Sequence, residues 1–82
     1  MNLVVLTETI IKMIVEDTEA VSVREYETTE ENLIHLEVMV SQNDLGRVIG
    51  KDGKTIRSIR TVVQASSTLN DGRRVKIDVD SY

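Results

Sequence analysis

A chain of 82 residues, 40% hydrophobic and 29% charged, has room for one domain with one small core and is too apolar to read as disordered. It contains no cysteine, which excludes disulfides and thiolate chemistry, and no apolar run long enough to cross a bilayer. The net charge of −4 argues by itself against a polyanionic partner, but the charge is unevenly spread. Residues 1–45 hold two basic residues, Lys12 and Arg24, against ten acidic ones, whereas residues 46–82 hold eight basic against four acidic. A polyanion responds to a local basic surface rather than to the whole-chain sum. Five of those eight, Arg47, Lys51, Lys54, Arg57 and Arg60, crowd into one stretch.

In chain order, Leu3, Leu6, Ile10, Met13 and Ile14 recur at helical spacing and predict an amphipathic helix over residues 3–16. Thr7, Glu8, Thr9 and Lys12 interrupt the apolar run, and it has neither a basic leader nor a small-residue cleavage site. It is therefore expected to belong to the fold rather than to a signal peptide, in a cytoplasmic protein. "AVSVREYET" at 20–28 is rich in strand formers, "TTEEN" is a polar connection, and "LIHLEVMV" at 33–40 alternates with Ile34, Leu36, Val38 and Val40 on one face. These two segments predict an antiparallel hairpin. Ser41 followed by Asp44 has the spacing of a capping box. The helix it opens is kept short by Gly46 and ended by Gly50. Beyond Gly53, Ile56, Ile59 and Val63 form a second helical stripe with Val62 beside it, over residues 54–69. "NDG" at 70–72 reads as a turn, and "VKIDVD" as a final strand with Val75, Ile77 and Val79 inward. The resulting order, α-β-β-α-α-β, is that of an α+β domain, a three-stranded sheet with helices on one face.

The information is densest in "LGRVIGKDGKTIRSIR", residues 45–60. Two nucleotide fingerprints overlap it, and both fail on counting. A P-loop ending in Gly53-Lys54-Thr55 and a dinucleotide fingerprint through Gly50 and Gly53 each need a glycine at 48, where the chain has Val48. What remains is helix–Gly50–Lys51–Asp52–Gly53–helix. Two glycines three apart between helices can be no more than a sharp corner. Yet the backbone can approach a ligand closely at glycine, the next helix offers its free N–H groups and positive dipole end, and Lys51, Lys54 and Arg57 add mobile charge. A corner alone needs no basic residues on both sides of it. The pattern suits a phosphodiester backbone.

"VIGKDGKTIRSIR" resembles the GXXG segment of KH domains, written V-I-G-K-x-G-x-x-I, at Val48, Ile49, Gly50, Lys51, Gly53 and Ile56. The element order is similar to the type II KH arrangement with a mixed sheet, and the resemblance extends over residues 1–82 as a single domain, similar to the small bacterial RNA-binding proteins of the KhpA type. The absence of proline after the first helix departs from that pattern. The resemblance implies single-stranded RNA beside the loop, its backbone clamped at Gly50, Lys51, Asp52 and Gly53 over about four nucleotides. Arg47, Lys54 and Arg57 are then the phosphate neighbours, and Ile49 and Ile56 either floor the groove or fill the core. The opposite rim is expected in the loop from Ser67 to Arg74, making Arg73 and Arg74 further RNA contacts or else solvated turn charges. By the same resemblance the protein acts as an RNA chaperone or post-transcriptional regulator connected with cell elongation and cell-wall homeostasis. It pairs as a homodimer or with a larger Jag-type (KhpB) KH protein.

Composition separates this from its rivals. Tyr26 and Tyr82 are the only aromatic residues, too few for the stacking platforms of RRM or OB-fold binders. The single histidine, His35, falls on the strand face opposite Ile34 with no catalytic partner at a meaningful spacing, so no enzymatic activity, cofactor, metal or small-molecule substrate is expected. Within the helix over residues 54–69, Val62 and Val63 are expected in the core, with a pairing surface as the alternative. An acidic N-terminal half leaves a second reading open: a KH-fold module acting mainly through a protein partner.

Overall fold

The computed structural model describes residues 2–70 and 72–82. Helix α1 spans Leu3–Lys12, strand β1 Ser22–Tyr26, β2 Leu33–Val40, helix α2 Gln42–Ile49, helix α3 Lys54–Asn70 and strand β3 Arg74–Ser81. The sheet order is β1-β2-β3, with β1 antiparallel and β3 parallel to the central β2. This is the expected mixed α+β architecture. Because β2 and β3 run the same way, the chain must return between them, and α2 and α3 make that return.

The alternation in β2 dictates the layering. Ile34, Leu36, Val38 and Val40 are buried and face the helices, together with Val23, Val75 and Ile77 from the flanking strands. From the helical layer Ile11, Val48, Ile59 and Val63 enter the same cluster. Burying each such side chain stabilises the fold by about 1.5–3 kcal/mol. The outer face of the sheet is polar. There His35 Nε2 lies 2.7 Å from Asp78 Oδ2, and its ring tilts against Tyr26. His35 is thus part of a cross-strand contact on the face opposite Ile34.

Several expectations need correction. Helix α1 stops at Lys12 rather than 16, because the Met13 and Ile14 N–H groups turn back tightly onto Ile10 and Ile11. Its inward face centres on Leu3, Thr7 and Ile11, while Met13 is largely exposed. What ends the helix comes from far along the chain. The buried carboxylate of Asp44 accepts the Glu16 and Asp17 N–H groups at 3.0 and 3.1 Å. Ser41 does hold the N-cap position of α2, but makes no side-chain cap; its hydroxyl donates to Asp44 Oδ2 at 2.9 Å. The Ser41–Asp44 pair therefore ties α2 to the end of α1 instead of forming a capping box. The third helix reaches Asn70, so Ser67–Asn70 is helix and not loop. Ser67 is buried and donates to Arg73 C=O at 2.7 Å. The "NDG" turn includes Asp71, which lies outside the described residues. Of the valine pair, Val63 is core as expected but Val62 is exposed.

Asp44 gives the fold an acid limit. The Glu16 N–H, then the Asp17 N–H, with smaller help from Ser41 and the Arg47 charge, hold its carboxyl below its ordinary value of 3.8. A carboxyl depressed on folding contributes stability that is present above the unfolded-state value and lost as pH falls through the folded one. Asp44→Asn is accordingly expected to lower the thermal midpoint most near neutral pH. The gap from the parent should close as pH drops below about 4. A gap that stays constant across that range would contradict the role of the charge.

Candidate nucleic-acid interface

Every feature of the Gly50–Gly53 loop is set by its immediate neighbours. Helix α2 ends when the Gly50 N–H bonds to Gly46 C=O at 2.8 Å and Gly50 enters φ +76°. A Cβ on Gly50 would collide with Thr55, meeting its Cβ at 2.7 Å and its backbone N at 2.8 Å. Glycine is required here twice over, by dihedral and by space. Asp52 follows at φ 57°, ψ 25°, a left-handed conformation that aspartate tolerates better than most residues. Gly53 is left-handed as well, at φ +74°. Arg57, one turn into α3, donates to Asp52 C=O at 2.9 Å and braces the loop.

The loop delivers the chain directly into the first turn of α3, where the Lys54 N–H bonds back to Lys51 C=O and the positive end of the helix dipole lies at the loop. Lys51 and Lys54 are exposed on either side, and among the described residues neither side chain has an ion pair. Arg47 is already engaged, its Nη2 lying 3.2 Å from Glu16 Oε1, with both side chains well exposed. Such a surface pair is worth at most about 1 kcal/mol, so a phosphate could draw Arg47 away. Val48, the residue that ruled out both nucleotide fingerprints, is fully buried.

Ile49 is exposed and Ile56 half-buried against the core, and both flank the loop. The depressions beside the loop lie further along α3, against the open edge of β3. One of ≈ 520 Å³ is lined by Arg57, Arg60, Thr61, Gln64, Ala65 and Val75. A second of ≈ 540 Å³ continues past Arg60 and Gln64 to Leu33, Arg74 and Lys76. Arg57 belongs both to the loop and to this trough. Arg73 and Arg74 lie beyond the opposite end of α3, whose 17 residues span about 25 Å. Arg73 folds inward, donating to Leu33 C=O at 3.0 Å, while Arg74 lines the far end of the trough and pairs with Glu30. Thr55, Gln64 and Lys76 were not singled out by the sequence, and Arg60 only by its charge. The signal for part of this set was present: Arg57, Arg60, Thr61 and Gln64 recur at helical spacing beside the Ile59–Val63 stripe.

A helix–GXXG–helix corner packed on a three-stranded mixed sheet can now be set beside known proteins. The model of the KhpA/KhpB KH domain matches residues 5–79. The chain belongs to that family. RNA-binding protein KhpA of Clostridium acetobutylicum is 39% identical over 74 residues, covering 90% of this chain and 95% of its own. The KhpA of Thermotoga maritima is 38% identical over the same length, covering 93% of that protein. A match to KhpA of Leifsonia xyli is 57% identical but spans only 44 residues, 54% of each chain. Among solved structures, Era of Aquifex aeolicus bound to GDP·AlF4⁻ superimposes with a TM-score of 0.67 at 21% identity, over 99% of this chain and 31% of that one. Era in complex with MgGDPNP and nucleotides 1506–1542 of 16S ribosomal RNA gives 0.64 at the same identity. These two likenesses show a shared fold alone, as one part of a much longer chain. The curated relatives named above are called RNA-binding proteins, and the family is not an enzymatic one. Among the described residues no helix is long and apolar enough to cross a membrane.

Proposed function

We propose that this chain binds single-stranded RNA by clamping the backbone of about four nucleotides on the Gly50–Gly53 loop, with the bases directed into the trough between α3 and β3. The observation that carries the reading is the loop itself. Three left-handed residues bring the backbone to the N-terminus of α3, flanked by the exposed Lys51 and Lys54, which have no ion pair among the described residues. Arg47 joins them by leaving Glu16, and Arg57 holds the loop open from below. Arg74, with Glu30 as its present partner, meets the strand at the far end, whereas Arg73 serves the fold. The names of the relatives support the same ligand class.

Four nucleotides give little sequence information and modest affinity. A second binding unit multiplies it through effective concentration. Val62 and Leu69 on α3 and Val5 on α1 are exposed apolar residues that suit pairing with a second copy or with a larger KhpB-type KH protein. In this form the protein works as an RNA chaperone or post-transcriptional regulator, and by family likeness in cell elongation and cell-wall homeostasis.

Fluorescence anisotropy with short single-stranded RNAs over a salt series tests the reading. Four engaged phosphates predict a slope of log affinity against log salt of about −3. No binding at any salt would contradict it and favour a KH-fold module that acts through a protein partner.

A further inference from the structure

Successive residues of a strand direct their backbone groups to opposite edges. In β3 the Arg74 N–H bonds to Asn32 C=O at 2.8 Å. The backbone groups of the even-numbered residues therefore face β2, and those of residues 73, 75, 77 and 79 face the edge that no strand among the described residues covers. An open edge of this kind offers donors and acceptors to any ligand that lies along it.

Much of this edge is already taken. Gln64 Oε1 accepts the Val75 N–H at 2.8 Å, and Gln64 Nε2 donates to Arg73 C=O at 2.9 Å. Arg60 donates to Ile77 C=O at 3.4 Å. The two depressions of ≈ 540 and ≈ 520 Å³ share Arg60, Gln64 and Val75 in their linings. Gln64 and Arg60 therefore stand between them, as a bar across what would otherwise be one trough.

A carboxamide presents a donor and an acceptor side by side, and so does the Watson–Crick edge of a nucleobase. Gln64 thus makes to the strand the pair of hydrogen bonds that a base read at 73–75 would have to make. We propose that Gln64, with Arg60, is a specificity-determining bar that occupies the base-reading edge of β3 and keeps this chain a weakly discriminating RNA binder. The proposal rests on the RNA-binding reading above. Among the described residues this leaves the Val75 C=O, the Ile77 N–H and the Val79 groups, on the loop side of Gln64, for base recognition. A base that reads further must first displace the Gln64 carboxamide.

The test compares short homopolymers of adenylate, cytidylate and uridylate by anisotropy, for the parent chain and for Gln64→Ala. Gln64→Met, which keeps the bulk but not the hydrogen bonds, serves in its place if the smaller side chain unfolds the protein. The parent is expected to bind all three within about threefold, and the variant to spread them by more than about tenfold as the freed strand groups select a base. An unchanged spread overturns the proposal. An amide spectrum of the parent supplies a readout that a merely structural glutamine would not move. The Gly50 and Gly53 signals should shift with every homopolymer while Val75 stays in place; Val75 moving as far as the loop overturns it as well. Failure of the parent to bind any of the three overturns the RNA reading itself, a distinct result.

Discussion

Lys51→Asp, which leaves two adjacent carboxylates in the loop, is expected to weaken RNA binding at least tenfold, a loss of about 1.4 kcal/mol or more. Lys51 is exposed and has no ion pair among the described residues, so the substitution costs the fold little and the thermal midpoint should move by no more than about 2 °C. The salt slope should fall by about one phosphate contact. Those three readouts separate a clamp from a mere corner. If affinity survived the charge reversal, the phosphates would have to lie elsewhere.

Gly50→Ala should be the most damaging single methyl group in the loop. A left-handed φ of +76° already costs an alanine about 1–2 kcal/mol. In addition its Cβ would press on the Thr55 side chain and, at 2.8 Å, on the Thr55 backbone N. Backbone in the first turn of a helix cannot rotate aside, so a total of about 2–4 kcal/mol and a midpoint lower by roughly 10–25 °C are expected. Gly53→Ala is the control. Its φ is +74°, but nothing lies within 4 Å of the added carbon, so only the dihedral cost of about 1–2 kcal/mol applies. Equal losses for the two variants would show that the Thr55 contact plays no part.

The contrast between these glycines marks what the sequence could and could not disclose. The loop was legible because its causes are local: a glycine to end α2, a glycine before α3 and basic residues at one helical turn. The alternation in β2 likewise stated which face is buried. The end of α1 was not legible, because the apolar period runs on through Ile14 while the acceptor for Glu16 and Asp17 is Asp44, almost thirty residues away. Thr7 reads as polar in any window, yet it is fully buried at the centre of the inward face. The trough was hidden for a related reason. It exists only once α3 is laid along the edge of β3, so its chemistry depends on Gln64 meeting Val75, a contact that no periodicity announces. Nor does any periodicity announce that Arg73, expected as an RNA contact or a solvated turn charge, bonds to Leu33 C=O on β2.

The most direct test of a backbone clamp is a backbone measurement. Titrating the labelled protein with a short single-stranded RNA while recording its amide spectrum should shift Gly50, Lys51, Asp52, Gly53 and the first turn of α3 ahead of every other residue. Shifts confined to α1 and the exposed side of α3, with the loop amides unmoved at saturation, would contradict the account.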